Sequence, residues 1–167
     1  MGGTTLTANV PVEIGNHEGF EEVFSIFIEV DKPIVVGQDD VVGRRQLIPI
    51  LSGEVIGNGF KGKVLPGGID SQIIRPDGKC ELSARYAIQL EDGACIYIEN
   101  NGIRTVPAEF AESVKAGDFI DPELYYFRTV PIFEVYDESY RWLMNHLFIC
   151  YATRLPDKVL LKFYKVL

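Results

Sequence analysis

The segment VLPGGIDSQIIRPDGKCELSARYAIQLEDGACIYIENNGIR (residues 64–104) decides the fold. Runs rich in Ile, Tyr and Ala are cut by Asp77-Gly78, Asp92-Gly93 and Asn101-Gly102. Such pairs supply the positive φ angles that tight hairpins require, which makes them strong signals for consecutive antiparallel strands. The spacing predicts strands at about 69–75, 80–91, 94–100 and 103–106. Along 81–91 the side chains alternate, Leu82, Ala84, Tyr86, Ile88 and Leu90 against Glu81, Ser83, Arg85, Gln89 and Glu91. That is the period of a pleated strand with one apolar face.

The same chemistry extends in both directions. Gly57-Asn58-Gly59 separates predicted strands at 44–56 and 60–65, and VFSIFIEV (23–30) precedes a short partner at 34–36. Strands are also expected at 125–135, 147–155 and 158–167. One helix is predicted in PAEFAESVKAG (107–117), with Pro at its first position and Gly past its end. DESYRWLMNH (137–146) reads as a second short helix or turn. Closing so long a meander removes its exposed edges. The expected fold is all-β, a single antiparallel up-and-down barrel of about eight to ten strands with one or two short helices. It fills one domain, residues 1–167, with 1–20 as an acidic extension.

Composition narrows the function classes. The net charge is −8. Eight acids (Glu13, Glu18, Glu21, Glu22, Glu29, Asp31, Asp39, Asp40) precede residue 41 against one Lys, so that start reads as a solvated acidic face. Phosphate binding needs a concentrated basic face, so nucleic acid is not an expected partner. No apolar run reaches the roughly 20 residues of a membrane helix, and no signal peptide is evident. A soluble, cytoplasmic protein without membrane contact is expected. Cys80, Cys95 and Cys150 are odd in number and widely spaced, which reads as reduced thiols rather than a disulfide or zinc framework. With His17 and His146 the only histidines, no metal is expected, and no cofactor motif is present.

The meander's polar face carries the chemistry worth testing. Asp70 and Gln72 share a parity, as do Tyr97 and Glu99, and Tyr126 and Arg128. Two arrangements fit the alternation. The apolar face can turn inward and leave the polar face to water, or the polar face can line a cavity. The preference for Arg over Lys favours the second, because a guanidinium suits fixed, bidentate recognition of carboxylate or phosphate.

The blocks GRRQLIPILSGEVIGNGFKGKVLPGGID, ARYAIQLEDGACIYIENNGIR, YYFRTVPIFE and YRWLMNHLFI resemble, in order and spacing, domain-of-unknown-function family 3237, also called uncharacterised protein family 0311. The resemblance covers about residue 24 to the C-terminus. It implies a single barrel of the lipocalin and streptavidin type and brings no established activity. The family pattern maps onto Arg45, Gly67-Gly68, Asp70, Arg85-Tyr86, Asp92-Gly93, Gly102, Arg104, Tyr126, Arg128, Tyr140 and Trp142. Members often carry Trp where this chain has Ser71, a change that would re-shape a nearby cavity. LSG (51–53) replaces the more usual double glycine.

The candidate ligand-binding set is Arg45, Asp70, Gln72, Arg85, Tyr97, Glu99, Arg104, Tyr126 and Arg128, with Asp70 the candidate acid or base. Trp142 reads as a plug over one barrel end, and Tyr86 as core. The leading function is binding of a small organic ligand with an anionic or enolisable oxygen. The alternatives are a cofactor-independent acid/base enzyme (isomerase, lyase or cyclase) and a structural module whose filled barrel pairs subunits through its outer face. Whether the chain is an enzyme stays open, and a homodimer is possible.

Overall fold

In a computed structural model, residues 18–115 and 118–167 are described. Most of the expected acidic extension, and the Gly117 helix end, lie outside them. Ten strands form one continuous antiparallel sheet: β1 (Phe20–Val30), β2 (Ile34–Asp39), β3 (Gly43–Gly57), β4 (Gly62–Val64), β5 (Gly68–Ile74), β6 (Cys80–Leu90), β7 (Cys95–Thr105), β8 (Tyr126–Val135), β9 (Phe148–Arg154) and β10 (Lys158–Val166). β1 pairs both β10 and β3, which closes the sheet on itself. β2 continues β1 along β3 past the break at Pro33, and β4 and β5 together bridge β3 to β6. The result is a closed eight-stave barrel.

Turn chemistry behaves as expected at Gly59, Gly78 and Gly93, all with positive φ. Asn101-Gly102 is the exception. β7 runs unbroken through it, pairing with β6 on one side and β8 on the other. The glycine serves close approach instead: a Cβ there would lie 2.2 Å from the Arg128 carbonyl oxygen. The pair at 67–68 splits in role. Gly67 takes a φ of +103° at the break between β4 and β5, and Gly68 leaves room for Tyr86, whose Cβ would be 2.5 Å from an added methyl. The predicted helix is short and irregular, a 3₁₀ turn at Ala108–Phe110 followed by α1 (Ala111–Lys115). The second predicted helix is 3₁₀, Glu138–Asn145, capped by the Asp137 side chain accepting from the Ser139 amide at 2.8 Å. Among the described residues no helix is long and apolar enough to cross a membrane.

The two ends of the barrel are filled differently. At one end Phe24 stacks between Phe60 and Phe163, each with ring centroids 4.4 Å away, and Phe133 meets Phe148 edge-to-face at 5.0 Å. Burying each such ring contributes roughly 1.5–3 kcal/mol. Leu143 and Trp142 of the 138–145 turn pack onto this cluster, the plug expected of Trp142. Toward the other end the aromatic fill stops, and the inward positions become polar.

Candidate functional site

The register sorts the inward residues into layers. Arg44, Ile74, Cys80, Arg104 and Phe127 are successive partners around the mouth. Below them come Gln46, Gln72, Leu82, Gly102 and Thr129, and below those Ile48, Asp70, Ala84, Asn100 and Pro131. Tyr86, Ile98 and Phe133 begin the packed half. Above the packed half lies a cavity of about 510 Å³. Its polar wall carries Arg44, Gln46, Asp70, Gln72, Asn100 and Arg104, and Ile28, Val30 and Leu161 of β1 and β10 face them. The mouth is rimmed by Lys32-Pro33, Val114 of α1 and the β9–β10 turn, Leu155–Lys158.

This volume falls within the roughly 300–1,000 Å³ range of ligand pockets. Protein interiors rarely hold voids much larger than a water. A dry void of this size, at about 24 cal/mol per Å³, would cost on the order of 12 kcal/mol, comparable to a whole domain's stability. The space is therefore filled in solution, by water or by a ligand.

The polar wall is incompletely satisfied by the protein. Gln46 Nε2 donates to Gln72 Oε1 at 2.8 Å, and Gln72 Nε2 donates to Asp70 Oδ2 at 2.7 Å. That chain leaves Asp70 Oδ1 without a partner. Arg44 Nε, the Tyr86 hydroxyl, Asn100 Oδ1 and Thr129 Oγ1 are likewise buried and unpartnered, and all five residues line the cavity. The Cys150 thiol, a weak partner, lies beside Thr129 and Asn100.

Electrostatics follow from this layout. Three arginines, Arg44, Arg104 and Arg154, share the cavity with one deeply placed carboxylate, Asp70. Among the described residues none of the three lies in an ion pair. Arg104 is 7% exposed and rests on the face of Phe127, 5.6 Å from its centroid. Burial raises the Asp70 pKa, opposed by the Gln72 amide and the charge of Arg104. Burial and the charge of Arg104 lower the Arg154 pKa. Burial pushes the Cys80 thiol up to about 11 and the Cys150 thiol up to about 12, so neither offers a thiolate nucleophile. Among the described residues no three His, Cys, Asp or Glu side chains converge to hold a metal ion.

Of the residues singled out in the sequence, Asp70, Gln72 and Arg104 come together on the cavity wall. The other six lie on the outer face, because the strands turn their apolar parity inward. Arg85 Nη1 donates to Glu99 Oε1 at 2.5 Å, with the Arg85 side chain 53% exposed. Arg45 Nη1 donates to Ser71 Oγ at 3.2 Å. Ser71 thus points outward and does not border the cavity, so the residue at that position does not re-shape it. Arg128 stacks over Tyr151 at 3.5 Å and lies 5.2 Å from the Tyr126 ring centroid, while Tyr97 lies level with Ala87 and Glu134. The expectation that the Arg85 face lines the interior is therefore corrected.

Arg44, Gln46, Asn100, Thr129 and Arg154 were not singled out. Their signal is local: Arg44 and Gln46 share a parity with Ile48 and Ile50, a polar interruption of an apolar face at one strand end. Asn100 was masked by its position beside Asn101-Gly102, which reads as a turn.

Comparison with known proteins agrees with this architecture. Residues 19–166 match the family model "Protein of unknown function (DUF3237)". A UPF0311 protein of Clostridium acetobutylicum is 74% identical over 147 residues, 88% of this chain and 93% of that protein. A crystal structure of a protein with unknown function from the same organism superposes with a TM-score of 0.84 at 72% identity, covering 89% of this chain and 98% of that one. A conserved protein of unknown function from Rhodopseudomonas palustris gives 0.83 at 42% identity, covering 92% and 100%. With its barrel, its family match and these relatives agreeing along the same residues, the chain belongs to the DUF3237 (UPF0311) family.

Proposed function

We propose that the protein binds a small organic ligand with an anionic or enolisable oxygen in the open half of its barrel. The observation that carries this reading is that five buried, unpartnered polar atoms all belong to residues that line one cavity. Leaving such a group unsatisfied costs about 1–3 kcal/mol each, so a filled apolar core would be the more stable solution. Five cations (Lys32, Arg44, Arg104, Arg154 and Lys158) against three carboxylates (Asp31, Asp70 and Asp157) give the lining a positive bias that favours an anion.

Methyl-labelled NMR with a small-molecule extract of the host tests the reading. Ligand entry shifts the Ile48, Ile50, Ile74 and Leu82 methyls and leaves Val130 and Ile132 on the outer face of β8 unmoved. Shifts confined to Val130 and Ile132, or none at all, contradict it.

Asp70 favours a second reading, that of a cofactor-independent acid/base enzyme. Its Oδ1 has no protein partner on a residue that lines the cavity, and burial holds its pKa above the ordinary carboxylate value. A guanidinium from Arg104 would stabilise an enolate formed beside it. Turnover of an extract component by the wild type, abolished in a folded Asp70→Asn variant, distinguishes catalysis from binding.

A further inference from the structure

The cavity is polarised along the barrel axis. Its mouth presents donors: Arg44 with an unpartnered Nε, Arg104, and Arg154. Four residues deeper along β5 and β7, the same wall presents acceptors, the free Oδ1 of Asp70 and the Oδ1 of Asn100. These two stand on either side of Ala84, whose small side chain leaves space between them. At about 3.3 Å per residue the two levels are roughly 13 Å apart at the backbone, a gap that the arginine side chains partly span.

Arg104 and Arg154 also border a second, smaller cavity of about 100 Å³, lined by Val106, Asp118, Phe119, Ile120 and Tyr125. The two cations thus border open space on both sides. Like charges that repel and are partly buried favour a counter-charge, and neither arginine forms an ion pair among the described residues, although Asp70 and Asp118 border the cavities they line.

We propose that the ligand is a small organic acid carrying a hydroxyl or N–H donor at its far end. Its acid group is seated by Arg104 and Arg154, with Arg44 beside them, and its donor is held by Asp70 and Asn100. A guanidinium pair matches the planar geometry of a carboxylate, and a buried acceptor that a ligand leaves unpaired discriminates strongly against it. This inference rests on the binding reading above and adds the ligand's polarity and orientation.

Isothermal titration with three probes of one shape tests it: 4-hydroxycinnamic acid, its methyl ester, and 4-methoxycinnamic acid. The wild type binds the hydroxy-acid at least about tenfold more tightly than either analogue, since each loses a hydrogen bond to a buried group. Arg154→Met binds acid and ester alike, and Asp70→Ala loses the preference for hydroxyl over methoxyl. Asn100→Ala shows the same loss if Asp70→Ala does not fold by circular dichroism. Equal binding of all three probes overturns the polarity and leaves the cavity's binding role standing. No binding of any probe at millimolar concentration overturns the inference, while the host-extract NMR experiment judges the binding role separately.

Discussion

Thr129→Val tests whether the cavity's polar wall is kept at the expense of stability. Thr129 is 5% exposed, its hydroxyl has no normal hydrogen-bond partner, and its position on β8 faces the cavity. Valine keeps the branched shape and strand preference and removes only the hydroxyl. A buried, unsatisfied hydroxyl costs about 1–3 kcal/mol. Because the Cys150 thiol is a weak partner that shares part of that cost, the lower end applies and the gain is about 1 kcal/mol. For a chain of 167 residues that is a rise of roughly 2–4 °C in Tm. Urea unfolding should show a higher midpoint at unchanged slope, which assigns the change to stability rather than to the compactness of either state. Loss of 1 kcal/mol or more would refute the reasoning, because it would mean the hydroxyl holds the barrel together.

Three further outcomes follow from the same structure. Phe163→Ala, at the fully buried centre of the aromatic stack, should cost about 3–5 kcal/mol in urea unfolding, far more than any change on the cavity wall. Arg85→Met breaks only the exposed pair with Glu99 and should change stability by less than about 1 kcal/mol, leaving probe affinity intact by titration. Because burial raises the Asp70 pKa above its ordinary 3.8, the folded state favours the protonated carboxyl. The stability this group contributes is present at low pH and is lost as pH rises through the folded-state value. Asp70→Asn should therefore gain stability relative to wild type as pH rises above the ordinary carboxylate value of 3.8, read from urea midpoints across a pH series; a difference that stays flat or falls contradicts the assignment.

The barrel was legible because turn chemistry and alternation are local. Asp77-Gly78 and Asp92-Gly93 fix consecutive hairpins whatever surrounds them, and Leu82, Tyr86 and Ile88 mark an apolar face by parity alone. Asn101-Gly102 misled because the same dipeptide that makes a turn also allows two strands to approach, and only the neighbouring β8 backbone decides between these. The site was half legible for a similar reason. Asp70, Gln72 and Arg104 carry the inward parity, yet in sequence they look no different from Arg85 or Arg128, which carry the outward one. Which face closes inward depends on the sum of all staves. Arg154 of β9 comes within electrostatic reach of Arg104 of β7 across β8, a juxtaposition that no local pattern encodes.

Native mass spectrometry of protein purified from its own host tests most directly whether the hollow half of the barrel holds an anionic small molecule. The expected result is a surplus mass that leaves on denaturation, is retained by Arg85→Met on the outer face, and is lost from Arg104→Met and from the cavity-filling Ala84→Trp. A surplus mass that survives both cavity variants, or a clean mass in the wild type, would contradict it.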